Sequence, residues 1–143
     1  MPNLGIDLGT ENTKVAIMED GRILALASVE TGFDQAASAE AAIKLALEKA
    51  GVDRHSIKQI RATGGGAKAV PNITTDEINE IFSSAKGASF LFPSARTVID
   101  AGAELARAVK LDDGGKVKDF AINDKCAAGA GAFTEAKAKA LAM

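Results

Sequence analysis

The chain has 143 residues, 47% of them apolar and 25% charged, which suffices for one buried core and is ordinary for a soluble globular protein. A net charge of −2 with both signs interspersed carries no footprint for nucleic acid. No basic leader runs into an apolar stretch, no window offers the roughly 18 apolar residues of a membrane helix, and the lone Cys126 excludes an intrachain disulfide. The expectation is a cytoplasmic protein that engages neither membrane nor nucleic acid. With six Phe and no Trp or Tyr, the core must come from Ala, Ile, Leu and Val.

The first elements are the most informative. Leu4, Ile6 and Leu8 alternate up to Gly9-Thr10-Glu11-Asn12, and Val15 and Ile17 resume beyond it, a strand–turn–strand pattern. Gly9 permits a tight turn, and Thr10, Asn12 and Thr13 add side-chain donors beside exposed backbone N–H groups, making a concavity of anion size. Asp7 ends the strand just before it, where a carboxylate can hold hydrated magnesium against phosphate oxygens. The same residues would also serve an ordinary hairpin.

A turn at Glu19-Asp20-Gly21 leads to a third strand over 22–29, and residues 32–35 form a polar break. Residues 36–50 have helical composition, with Ile43, Leu47 and Ala50 on one face, Glu40 and Lys44 spaced for an i,i+4 pair, and Gly51 as C-terminal cap. His55, in a polar connection without companions for a metal, reads as a solvated loop residue. A short strand over 57–63 runs into Gly64-Gly65-Gly66, which suits either close approach to a ligand or a flexible exit. The glycines lack the Lys-Thr or Lys-Ser of a Walker loop. Residues 76–92 read as a helix capped by Thr75 and ended by Pro93. Ile78, Ile81, Phe82, Ala85 and Ala88 form its core stripe, and Gly87 leaves room for a packed neighbour.

Thr97-Val98-Ile99-Asp100-Ala101-Gly102 then repeats the Ile-Asp-x-Gly ending of residues 6–9. Strands are expected over 105–111 and 116–122 around the turn at 112–115, and a helix over 127–142 with a Glu135–Lys139 pair. Cys126 lies between a strand end and a helix start, where the helix dipole favours the thiolate, the metal-binding form. A buried structural thiol would read the same way.

Four strings occur in order: Gly5-Ile6-Asp7-Leu8-Gly9-Thr10, Ala85-Lys86-Gly87-Ala88, residues 97–102, and Asn123-Asp124-Lys125-Cys126-Ala127-Ala128-Gly129. Together they resemble the ATPases that activate 2-hydroxyacyl-CoA dehydratases and the related benzoyl-CoA reductase ATPase subunits. The hairpin likewise resembles the first phosphate hairpin of the actin, Hsp70 and sugar-kinase superfamily. The resemblance implies an α/β, actin-like (ribonuclease H-like) ATPase lobe over residues 1–93, and over 94–143 the opening strands and one helix of a second lobe. It implies ATP, Mg2+ and a [4Fe–4S] cluster shared between chains as cofactors. The implied partners are a homo- or hetero-oligomer and an acyl-CoA or aromatic-CoA reductase or dehydratase component. By position, Asp7 and Asp100 would be catalytic, with Asp7 on magnesium. Gly9, Thr10, Asn12, Thr13 and Gly102 would bind phosphate, and Cys126 the cluster.

The chain departs from the dehydratase activators at several positions. Their Asp-x-Gly-Gly-Gln-Asp reads Asp100-Ala101-Gly102-Ala103-Glu104-Leu105, and their Gly-Tyr-Gly-Arg reads Gly64-Gly65-Gly66-Ala67. Gly129-Ala130-Gly131-Ala132 and Gly102-Ala103-Glu104 look more like the delta-type benzoyl-CoA reductase ATPase. The family's adenosine-binding segment and second cluster cysteine lie further along than these residues. The expected function is therefore a subunit or fragment of an ATP-dependent iron–sulfur electron activator, the alternative being a truncated, non-hydrolysing binding or assembly module of the same fold.

Overall fold

The computed structural model describes residues 1–103, 105–123 and 129–142. Its described residues divide between two compact units, Met1–Asn79 and Glu80–Met143. The first is a five-stranded sheet in the order β3-β2-β1-β4-β5, made of β1 (Asn3–Leu8), β2 (Asn12–Glu19), β3 (Arg22–Glu30), β4 (Ile60–Thr63) and β5 (Asp76–Glu77). The strands β1, β2 and β3 pair antiparallel, whereas β4 adds parallel to β1 and β5 parallel to β4. Asp20 and Gly21 both have positive φ, 48° and 74°, which suits the two-residue hairpin loop between β2 and β3.

Period-two alternation places Leu4, Ile6, Leu8, Val15, Ile17 and Ala27 on one face, where α1 (Gln35–Ala50) covers them with Ala39, Ala42, Ile43 and Ala46. Alanines at the contact let the helix sit close to the sheet. Asp34 caps α1 by accepting from the Ala37 amide at 3.0 Å. Gly51, left-handed at φ 64°, closes the other end through the Leu47 and Glu48 carbonyls, as expected. Glu40 does not pair with Lys44: the planar guanidinium of Arg54 takes both its oxygens. His55 is exposed in a 3-10 turn.

The second unit carries an antiparallel sheet β6-β7-β8, from β6 (Thr97–Ala101), β7 (Ala106–Leu111) and β8 (Val117–Ile122). Ile81 and Ala85 of α2 (Glu80–Leu91) pack against Val109 and Leu111, with Val98 and Val117 at the margin. This helix therefore groups with the second sheet, and the two compact units divide at 79/80. The helix expected from residue 76 begins only at Glu80, because Asp76 and Glu77 pair with Arg61 and Ala62 as an edge strand. Thr75 does not cap it; its hydroxyl accepts from the Ile60 amide at 3.2 Å. Phe82 is 57% exposed, and a Cβ on Gly87 would meet open space, so neither takes the packing role expected of it. The last helix, α3 (Ala130–Ala140), carries the expected Glu135–Lys139 pair at 3.0 Å.

Candidate functional site

The alternation that buries Leu4, Ile6 and Leu8 sends Asp7 to the opposite face at the end of β1. Its side chain is 39% exposed, and Lys14, its register partner on β2, reaches its Oδ2 at 3.2 Å. An ion pair this open contributes little stability, about 0–1 kcal/mol, which leaves both groups free to meet a ligand. Beyond Asp7 the chain reverses at Gly9, whose amide donates to the Asn12 carbonyl at 3.1 Å. A Cβ on Gly9 would lie 2.8 Å from that carbonyl oxygen, so only glycine fits. Thr10, Glu11 and Asn12 are exposed around the turn.

Thr13 is placed otherwise. It is fully buried, and its Oγ1 lies 2.9 Å from Thr31 Oγ1. Thr31 in turn donates its hydroxyl proton to the Gly9 carbonyl at 2.9 Å, so Thr13 is the donor to Thr31. The Thr13 hydroxyl thus braces the turn from beneath and cannot also face an anion. Thr31, whose amide also donates to Glu11 O at 3.0 Å, has no sequence signal beyond its place after a strand.

The glycine run after β4 closes the other side. Gly64, at φ 92°, brings its Cα so near that a Cβ would lie 2.5 Å from Leu8 O and 2.6 Å from Asp7 Oδ1. The Gly66 amide donates to Leu8 O at 3.1 Å, and a Cβ there would crowd Leu8 and Gln35 at 3.0 Å. The run is thus a close backbone approach to the end of β1. Thr63, the register partner of Asp7 on β4, has a buried hydroxyl oxygen without a hydrogen-bond partner.

In the second unit, Asp100 Oδ2 accepts from Arg107 Nη1 and from Ser84 Oγ, each at 3.0 Å. The other arm of Arg107 pairs with Glu80 at 2.8 Å, and its side chain is only 10% exposed. A cation this covered is tolerated because two carboxylates face it. The Gly102 amide donates to Leu105 O at 2.9 Å and the Gly102 carbonyl accepts from Gly131 N at 3.2 Å, tying the β6 turn to the start of α3. A Cβ on Gly131 would approach Gly102 O to 3.2 Å. Cys126 lies outside the described residues, and among the described residues no group of three or more His, Cys, Asp or Glu could hold a metal ion. Among them, too, no helix is long and apolar enough to cross a membrane.

Residues 4–143 match the BadF/BadG/BcrA/BcrD ATPase family. The chain belongs to that family. It is 40% identical over 141 residues to the activator of lactoyl-CoA dehydratase from Anaerotignum propionicum, covering 99% of this chain and 54% of that protein. To one of the subunits of benzoyl-CoA reductase from Thauera aromatica it is 32% identical over 144 residues, covering 97% and 50%. Of these two, the dehydratase activator shares the higher identity.

Among solved structures, component A of Acidaminococcus fermentans (R)-2-hydroxyglutaryl-CoA dehydratase superposes with a TM-score of 0.86 at 33% identity, covering 100% of this chain and 55% of that one. The activator of 2-hydroxyisocaproyl-CoA dehydratase from Clostridium difficile, with bound ADPNP, gives 0.83 at 32% identity, covering 100% and 53%. The fold is the α/β, actin-like fold of these ATPase activators. The chain spans about half the length of the relatives it matches.

Proposed function

We propose that this chain is the phosphate-holding part of an ATP-driven electron activator serving an acyl-CoA dehydratase or an aromatic-CoA reductase component. The observation that carries the reading is the turn between β1 and β2. There a glycine-only reversal, a part-exposed carboxylate at Asp7 and the close-packed Gly64 meet at one strand end. In this reading the exposed turn at Gly9, Thr10 and Asn12 receives phosphate oxygens of ATP, and Asp7 holds hydrated Mg2+ against them. Asp7 fits that ion, being an accessible oxygen ligand with Lys14 beside it to balance phosphate charge. Held by Asp7, magnesium would supply positive charge that offsets the negative charge of the phosphates. Asp100 and Gly102 form the second phosphate segment, with Arg107 and Ser84 fixing the Asp100 carboxylate.

Cys126 is the residue offered to a [4Fe–4S] cluster. Such a cluster takes about four thiolates, and these 143 residues hold one cysteine. They therefore do not make the site by themselves, and the reading requires ligands from outside them. An oligomer, homo- or heteromeric, suits that need, and so do the exposed Ile99, Phe120 and Phe133 of the second unit, at 77%, 53% and 64% exposure. A reducing cytoplasm suits a lone thiol.

A second reading is a non-hydrolysing binding or assembly module. It is favoured by the commitment of Asp100 to Arg107 and Ser84, together with Leu105 where the dehydratase activators carry an acidic residue. Phosphate release from magnesium ATP, with and without a 2-hydroxyacyl-CoA dehydratase component, separates the two. The activator reading expects release that depends on that component and falls at least tenfold in Asp7→Ala. No release with any dehydratase or benzoyl-CoA reductase component would leave the binding module.

A further inference from the structure

The sequence marks the glycine run after β4 without assigning it a task, and the structure places an unusual group at its start. Thr63 Oγ1 is, among the described residues, the sole buried side-chain oxygen or nitrogen lacking a hydrogen-bond partner. Buried hydroxyls are rarely left this way, because desolvation without a partner is unfavourable. The other buried polar side chains in the described residues show the norm: Thr13 bonds Thr31, and Ser38 donates to Asp34 O and accepts from Gly32 N, both at 3.0 Å.

Position gives the orphan a meaning. Thr63 pairs in register with Asp7 on the adjacent parallel strand, so the two side chains leave the same face of the sheet, with strands roughly 4.8 Å apart. Lys14 flanks Asp7 on the opposite side through the antiparallel pairing with β2. Three neighbouring strands thus present Lys14, Asp7 and Thr63 in a row at one sheet end. Two of them are satisfied by each other, and the third is not. Gly64, directly after Thr63, has no room for a side chain, so the backbone keeps this end of β4 pressed against Leu8 and Asp7.

We propose that Thr63 is a further ligand-binding residue of the Asp7 site, its hydroxyl, closed to solvent in the free chain, turning about χ1 when the ligand binds and donating to an oxygen of a magnesium-bound polyphosphate. The inference rests on the nucleotide reading of the Asp7 turn and adds a contact to it. The geometry assigns Lys14 and Thr63 to opposite flanks of the same bound group, one as cation and one as neutral donor. The unpaired hydroxyl is a cost borne by the free protein and removed by the ligand, a pattern found where stability yields to function.

The test uses Thr63→Val, which keeps the side-chain shape, and Thr63→Ser, which keeps the hydroxyl. Binding of magnesium ADPNP to the full chain is measured by calorimetry, with Asp7→Ala alongside and thermal midpoints recorded without ligand. Thr63→Val should weaken binding by about tenfold or more, as expected for losing a hydrogen bond to a charged group. Thr63→Ser should stay within about threefold of the parent, and the ligand-free midpoint of Thr63→Val should be unchanged or raised. Binding by Thr63→Val equal to the parent overturns the inference while Asp7→Ala still reports on the site. So does a lowered ligand-free midpoint with unchanged binding, which would mark Thr63 as structural. A parent chain that binds no magnesium ADPNP overturns the nucleotide reading and this inference with it.

Discussion

Gly64 shows how little freedom a single position near Asp7 retains. Its φ of 92° and the 2.5 Å approach of a virtual Cβ to Leu8 O mean that any side chain must both strain the backbone and part β4 from β1. Gly64→Ala should therefore destabilise the chain by roughly 1–3 kcal/mol, read as a lowered urea midpoint; a loss below about 0.5 kcal/mol would contradict the close approach. From sequence the glycine run allowed ligand approach or a flexible exit, and the ambiguity was physical, since glycine permits both. Thr13 illustrates the converse. Its neighbours in the turn suggested a donor, but strand alternation carries it to the buried face, where it serves Thr31. Lys14 and Thr63 flank Asp7 only because of strand order, which no local pattern contains.

At the scale of elements, the alternating β1 and β2 and the alanine-rich α1 were legible because their apolar period and their caps agree. The edge strand Asp76–Glu77 was not, because two polar residues carry no period and are ordered by pairing with β4 alone. The turn between β7 and β8 was read correctly, and the structure adds its mechanism. Asp112 Oδ1 accepts from the Lys116 and Gly114 amides at 2.8 and 2.9 Å. The Lys116 amide first, and then Gly114, hold its carboxyl below the usual carboxylate range. A lowered folded value means that this contribution is present above the ordinary range and is lost as the pH falls through the folded value. Asp112→Ala should accordingly cost most near neutral pH and progressively less in acid, as urea midpoints across that range would show. A cost that grows on acidification would contradict the sign.

At the scale of the whole molecule, each unit holds one part of the proposed machinery: the magnesium and phosphate turn with Asp7, and the Asp100 segment fixed by Arg107. The family was legible in four short strings, because glycines and aspartates at strand ends answer to backbone geometry and leave a pattern that local reading can find. The position of α2 was not legible, since its apolar residues would suit either sheet and packing alone assigns Ile81 and Ala85 to the second. The chain spans about half the length of its relatives, so the claim that most needs testing is that the Asp7 turn works as a phosphate site within these 143 residues. Calorimetric titration with magnesium ADPNP, repeated with EDTA and with Asp7→Ala, measures it directly. Saturable, magnesium-dependent binding is expected, weakened at least tenfold in Asp7→Ala at unchanged thermal stability. Equal binding by Asp7→Ala, or binding indifferent to magnesium, would contradict it.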